Sequence, residues 1–150
     1  MGSDEGVRKG VEGLEVWDFG TTVAAVAPPL AEARVAIVTT AGLRSDGSRL
    51  WADGQGFVAH PSGARDLTLA HVSPNFDRSG ITSDLNVAYP ADRLDELAAR
   101  GLIGSVAPRH LSFMGAQPDH TLTTVRLDTG PAAAALLASD GVDVVLLTPV

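Results

Sequence analysis

The segment Arg34-Val35-Ala36-Ile37-Val38-Thr39-Thr40, running into Ala41-Gly42, decides the fold. It is short, continuously apolar and rich in β-branched residues. That is the pattern of a strand buried on both faces, which is typical of parallel sheets. Val142-Asp143-Val144-Val145-Leu146-Leu147 repeats the pattern near the other end and also reads as a buried strand. Residues 66–72 alternate and read as a further strand, and residues 103–107 as another that stops at Pro108.

Helices separate these runs. Across residues 91–100, Leu94, Leu97 and Ala98 fall on one face at helical spacing. Asp92 and Asp95 sit near the positive N-terminal end, Glu96 is spaced to pair with Arg100, and Gly101 supplies the left-handed residue that ends the helix. A second helix follows Asp128 or Thr129 as cap, with Pro131 in the first turn, an Ala/Leu body over residues 132–138 and a stop at Gly141. Strand, helix and strand alternate, so the expected fold is α/β, with three layers and a mostly parallel open sheet of the Rossmann-like or flavodoxin-like kind. Residues 34–150 form this domain. Residues 1–33, interrupted by Gly2, Gly6, Gly10, Gly13 and Gly20, read as an irregular N-terminal arm or short hairpin. Residues 86–89 read as a short extended stretch before Pro90.

Composition narrows the function. The 150 residues include no cysteine, which excludes a disulfide framework, a thiolate metal site and a cysteine nucleophile within this sequence. A cytoplasmic protein is the default expectation. Eleven Lys and Arg stand against 18 Asp and Glu, a net charge of −7, and Lys9 is the single lysine. A chain this acidic, with no basic cluster, is not expected to bind nucleic acid or an anionic membrane surface. No apolar run has the length of a membrane span, and the first residues have no signal-peptide core.

No glycine-rich phosphate loop, nucleophile elbow or HExxH spacing occurs. His60 and His120 read as surface or structural histidines. His71 and His110 each close a strand-like run before loop residues, the position where α/β domains place function. The loop from His71 to Asp77 and the pair Asp84 and Asn86 read equally well as turn chemistry. A metal site from His71, His110 and Asp77 has no support in their spacing. The strand at residues 142–147 runs to Thr148-Pro149-Val150. Open α/β sheets bind ligands beyond such carboxyl ends, so this strand either lies at an edge or has further structure following it.

Two stretches then point to a family. Ser83-Asp84-Leu85-Asn86-Val87-Ala88-Tyr89-Pro90-Ala91-Asp92-Arg93-Leu94 and Gly104-Ser105-Val106-Ala107-Pro108-Arg109-His110-Leu111-Ser112-Phe113-Met114-Gly115 resemble the selenoprotein B family. That family comprises subunits of the glycine, sarcosine, betaine and D-proline reductases. The blocks around Val35, around His71 and at residues 140–150 fit it in the same order, so the resemblance covers about residues 28–150. It implies reductive C–N bond cleavage of a small amino-acid-type substrate, with a dithiol/disulfide couple as redox partner. It also implies a selenocysteine or cysteine immediately after Val150, and a partner subunit carrying a pyruvoyl group. A selenoprotein A-like or other redox subunit is implied as a further partner. These 150 residues then correspond to the N-terminal half of the family's full-length subunit. Two expectations for the break follow: a UGA codon at position 151 read as a stop, or a genuine half-length or separately encoded piece. The implied site residues are His71 and His110 for a carboxylate or proton, and Asp84 and Asn86 for a loop or amine. Thr148 and Arg109 would act beside the redox residue. The competing expectation is a non-catalytic α/β module that binds a small molecule or docks to a reductase.

Overall fold

The computed structural model describes residues 3–12 and 25–150. Strand β1 (Arg34–Thr39) is the centre of the main sheet. On one side it pairs in parallel along its length with β7 (Val144–Thr148), from Val35 opposite Val144 to Thr39 opposite Thr148. Its other side is shared by two successive parallel strands, β5 (Ser105–Val106) and β6 (Arg109–Phe113). The break between them falls at Ala107-Pro108, where proline lacks the donor that a continuous ladder requires. Strand β3 (Phe57–Pro61) runs antiparallel beyond β6, with His60 opposite His110. The order across the sheet is therefore β3, β6, β1, β7, with β5 extending the row of β6. A separate antiparallel ribbon joins β2 (Leu43–Arg44) and β4 (Thr68–Leu69).

The period of two along β1 divides the core into two halves. Val35 and Ile37 pack with Tyr89, Leu94 and Ile103 on the face covered by α3 (Ala91–Ala99). Ala36 and its neighbour Val38 pack with Leu111, Ala133 and Leu137 on the face covered by α5 (Gly130–Ser139). Helices on both faces make the expected three layers. Leu94 and Leu137 are buried, and each contributes about 1.5–3 kcal/mol relative to exposure.

Both helices stop as their sequences require. Gly101 and Gly141 take φ of +67° and +68°. The amides of Gly101 and Leu102 donate to Ala98 and Leu97, and those of Gly141 and Val142 to Ala138 and Leu137. This paired-bond ending needs a left-handed residue after the helix, which favours glycine.

Several local expectations change. Ser3–Glu12 is helical (α1), where its glycines suggested an irregular arm; the spacings Glu5–Lys9 and Arg8–Glu12 suit a helix. Residues 13–24, and the hairpin expectation that falls on them, lie outside the described residues. The strand expected at 66–72 contracts to β4, and β3 forms within a stretch read as loop. After the short helix α2 (Ser79–Ser83), Leu85–Val87 is a 3-10 turn rather than extended, because the Asp84 carboxylate accepts from the Asn86 amide at 2.9 Å. Glu96 pairs with Arg93, one turn earlier, instead of Arg100. Thr129 caps nothing. Helix α4 (Asp119–Thr124) and a wide π-type turn (Val125–Thr129) run directly into α5, and the Thr129 hydroxyl donates to the Gln55 carbonyl at 2.8 Å.

The largest difference concerns β7. Its continuous apolar run predicted burial, yet Val145, Leu146 and Leu147 are exposed, Leu147 by 67%. Among the described residues β7 has one neighbour, β1, so it is an edge strand.

Candidate functional site at the carboxyl end of the sheet

Four chain segments converge where β1 and β7 end. Threonines at the end of β1 provide the joints. The Thr39 hydroxyl donates to the Thr148 carbonyl at 3.2 Å and accepts from the Ala41 amide. The Thr40 hydroxyl accepts from the Val150 amide at 2.9 Å and donates to the Val150 carbonyl at 3.2 Å. The Thr40 carbonyl accepts from the Gly115 amide at 2.9 Å. Residues 148–150 are thus held against the exit of β1 by side-chain oxygens after the ladder has ended.

Two glycines permit the approach. A Cβ on Gly115 would lie 2.9 Å from the Val150 carbonyl oxygen and 3.0 Å from the Thr40 side chain. Gly42 has φ +66°, and a Cβ there would press on the His71 backbone and the Met114 sulfur at 3.3 Å. His71 is consequently fixed behind Gly42, where the Ala70 amide donates to the Gly42 carbonyl.

His71 is 94% buried, its relative exposure being 6%. The ring stacks on Phe76 with centroids 4.0 Å apart. Its Nδ1 accepts from the Ser73 amide at 3.3 Å, which assigns the proton of the neutral ring to Nε2. Nε2 has no partner. Burial, then the Arg78 charge, hold the imidazole below its ordinary pKa, so it is neutral at pH 7. A shallow cavity of about 220 Å³ opens here, lined by His71, Ser73, Phe76, Gly115 and Val150 among others. The arrangement leaves a neutral, buried and unpartnered N–H in a residue that lines the cavity beside the carboxyl edge of a parallel sheet.

The other expected residues are dispersed. Thr148 is at this edge, but its hydroxyl donates to the Ala88 carbonyl at 2.8 Å. Asp84 and Asn86 cap local structure. Asn86 Nδ2 donates to Asp84 and Asp92, and its Oδ1 accepts from the Asp92 amide at the start of α3. Asp84 is held below the ordinary carboxylate pKa by these Asn86 bonds.

Arg109 and His110 are not brought to this edge. Arg109 begins β6, at the opposite end of the sheet, where it makes two hydrogen bonds of 2.6 and 2.7 Å to the nearly buried Asp140 carboxylate. His110 lies inside β6 with no exposed surface. Its Nδ1 accepts from the Ile37 amide at 3.1 Å, supplying an acceptor beside the break at Ala107-Pro108. Burial lowers its pKa to about 4. His60, fully buried on the same face, donates from Nε2 to the Leu43 carbonyl at 3.1 Å. Ser112 accepts from the Leu43 amide at 2.7 Å. His60, His110 and Ser112 therefore serve as backbone partners. Among the described residues no group of three His, Asp or Glu side chains gathers for a metal, and no helix is long and apolar enough to cross a membrane. Residue-by-residue reading overlooked Thr39 and Thr40; two hydroxyls closing a buried strand were their available signal.

No family model and no solved structure matches the chain. One curated relative does. The chain is 32% identical over 127 residues, 82% of its length, to the D-proline reductase subunit gamma of Acetoanaerobium sticklandii. The chain spans 51% of that relative's length. It is therefore related in sequence to a reductase subunit.

Proposed function

We propose that these residues form the substrate-handling half of a reductase subunit that cleaves a C–N bond of a small amino-acid-type molecule. One observation carries the reading: the kinship with D-proline reductase subunit gamma extends over 82% of the chain. The position of His71 beside the carboxyl edge gives that reading a site.

In this reaction class two electrons and two protons open the bond. Carbon gains hydrogen, nitrogen leaves as an amine, and a dithiol is oxidised to its disulfide. A selenocysteine or cysteine after Val150, which the family resemblance implies, would supply the nucleophile. A pyruvoyl group on a partner subunit, which the same resemblance implies, would supply the activation of the amine. This chain's residues have narrower tasks. Thr40 fixes both backbone groups of Val150, and Gly115 leaves the room for that contact. His71 presents its Nε2 proton to an anion at the edge, either a substrate carboxylate or the anionic redox group. Thr148, tied to Ala88, sets the direction in which the chain leaves β7.

The test begins with the nucleotides after codon 150. A selenocysteine or cysteine codon followed by an in-frame continuation is expected; UAA or UAG removes the redox residue from that position. The polypeptide encoded by the full reading frame, together with its neighbouring reductase subunits, is then assayed for dithiol-dependent turnover of D-proline, glycine, sarcosine and betaine. Turnover of one is expected, lowered at least tenfold by His71→Phe with an unchanged melting curve. Absence of turnover with all four overturns the proposal.

A further inference from the structure

A second cavity, of about 430 Å³, lies between the β2–β4 ribbon and α2. This is the size of a small-molecule pocket. Leu67, Leu69 and Ile81 give it an apolar side, while Thr68, Thr82 and the arginines Arg49, Arg65 and Arg78 make much of its lining polar. Three guanidinium groups around one cavity are notable in a chain of net charge −7.

Their charges are not equally balanced. Arg65 is met by two carboxylates, Asp92 and Asp95, each at 2.6 Å. Arg78 donates only to neutral carbonyls, those of Phe76, His71 and Ser73, at 3.0, 2.7 and 3.0 Å. Arg49 has no hydrogen-bond or ion-pair partner among the described residues. No Asp or Glu lines the cavity. Two cationic charges thus face a space of mixed polar and apolar lining without a protein anion. Arginine stays protonated at any physiological pH, and its planar donors match a carboxylate. The apolar side formed by Leu67, Leu69 and Ile81 offers an aliphatic body contacts that an inorganic anion does not use. With no lining carboxylate, the cavity offers an ammonium group no charged partner, so a zwitterionic amino acid is charge-matched at one end only.

We propose that this cavity binds a small organic acid, with its carboxylate on Arg49 and Arg78 and its aliphatic part against Leu67, Leu69 and Ile81. The site stands apart from the carboxyl edge and does not rest on the reductase reading. Arg78 joins the two places, since its donors hold the backbone of the loop that carries His71.

Titration of the protein with isovalerate, followed by methyl NMR, tests the site. Saturable shifts are expected at Leu67, Leu69 and Ile81. Isovaleramide, valine and inorganic phosphate should each bind at least tenfold more weakly. Arg49→Gln, a change at an exposed side chain, should weaken isovalerate about tenfold, the equivalent of about 1.4 kcal/mol, without altering the unliganded spectrum elsewhere. The proposal is overturned if no saturable shift occurs, if any of the three comparison compounds binds as tightly as isovalerate, or if Arg49→Gln leaves the affinity unchanged.

Discussion

Lowering the pH should remove the imidazole that closes the break in the central sheet. His110 accepts from the Ile37 amide through Nδ1, so protonating Nδ1 eliminates that bond. Burial holds the native pKa at about 4, whereas an unfolded histidine titrates near 6.5. Between those values the unfolded chain binds the proton and the native chain does not, so stability rises with pH. The contribution is complete above pH 6.5 and is lost as pH falls toward 4. The pKa gap corresponds to roughly 3 kcal/mol, each pKa unit being about 1.36 kcal/mol. Urea unfolding at pH 4, 5, 6 and 7, followed by the fluorescence of buried Trp51, measures it. His60 and His71 are also held below their ordinary values by burial and contribute with the same sign. His110→Asn isolates the term: its amide oxygen can accept from Ile37 and does not titrate. The stability difference between wild type and His110→Asn should change by roughly 3 kcal/mol over this range. His110→Phe leaves the Ile37 amide without an acceptor and should cost a further 1–3 kcal/mol or so at pH 7. Parallel pH profiles for wild type and His110→Asn would refute the reasoning.

Two other substitutions probe the site and the edge. Gly115→Ala places a Cβ 2.9 Å from the Val150 carbonyl and should cost about 1–3 kcal/mol in urea unfolding, with amide shifts concentrated at Thr40 and Val150; a neutral result shows that the approach is loose. Leu147→Lys charges an exposed apolar position on the β7 edge and should lower self-association in light scattering while shifting stability by no more than about 0.5 kcal/mol; unchanged association shows that the edge is not adhesive.

The central strand and both major helices were legible because their signals are local. Val35 and Ile37 on one face and Ala36 and Val38 on the other satisfy two layers at once, and Gly101 and Gly141 stop helices by a property of their own backbone. β3 was not legible. Phe57-Val58-Ala59-His60-Pro61 ends in proline and follows several glycines, and it becomes a strand through antiparallel pairing with β6. β7 was misjudged in burial because apolar composition reports a preference, while exposure depends on how many neighbours a strand acquires. The site divides along the same line. His71 was visible as a histidine at the end of a strand. The role of His110 was not, because it depends on which amide lies opposite the break at Pro108, a matter of pairing across 73 residues. The Thr40–Val150 joint was equally hidden, since it spans 110 residues.

The pairing of β1 with β7 also bears on the order in which the fold is made. During synthesis β1 emerges more than 100 residues ahead of the strand that lies along one of its sides. Its other side waits for residues 105–113. Non-local pairing of this kind is intrinsically slow, because loop closure precedes the contacts that reward it. A nascent chain released through α3 therefore carries its most apolar strand with both edges open. On the ribosome, α3 is therefore complete before the main sheet can begin to pair.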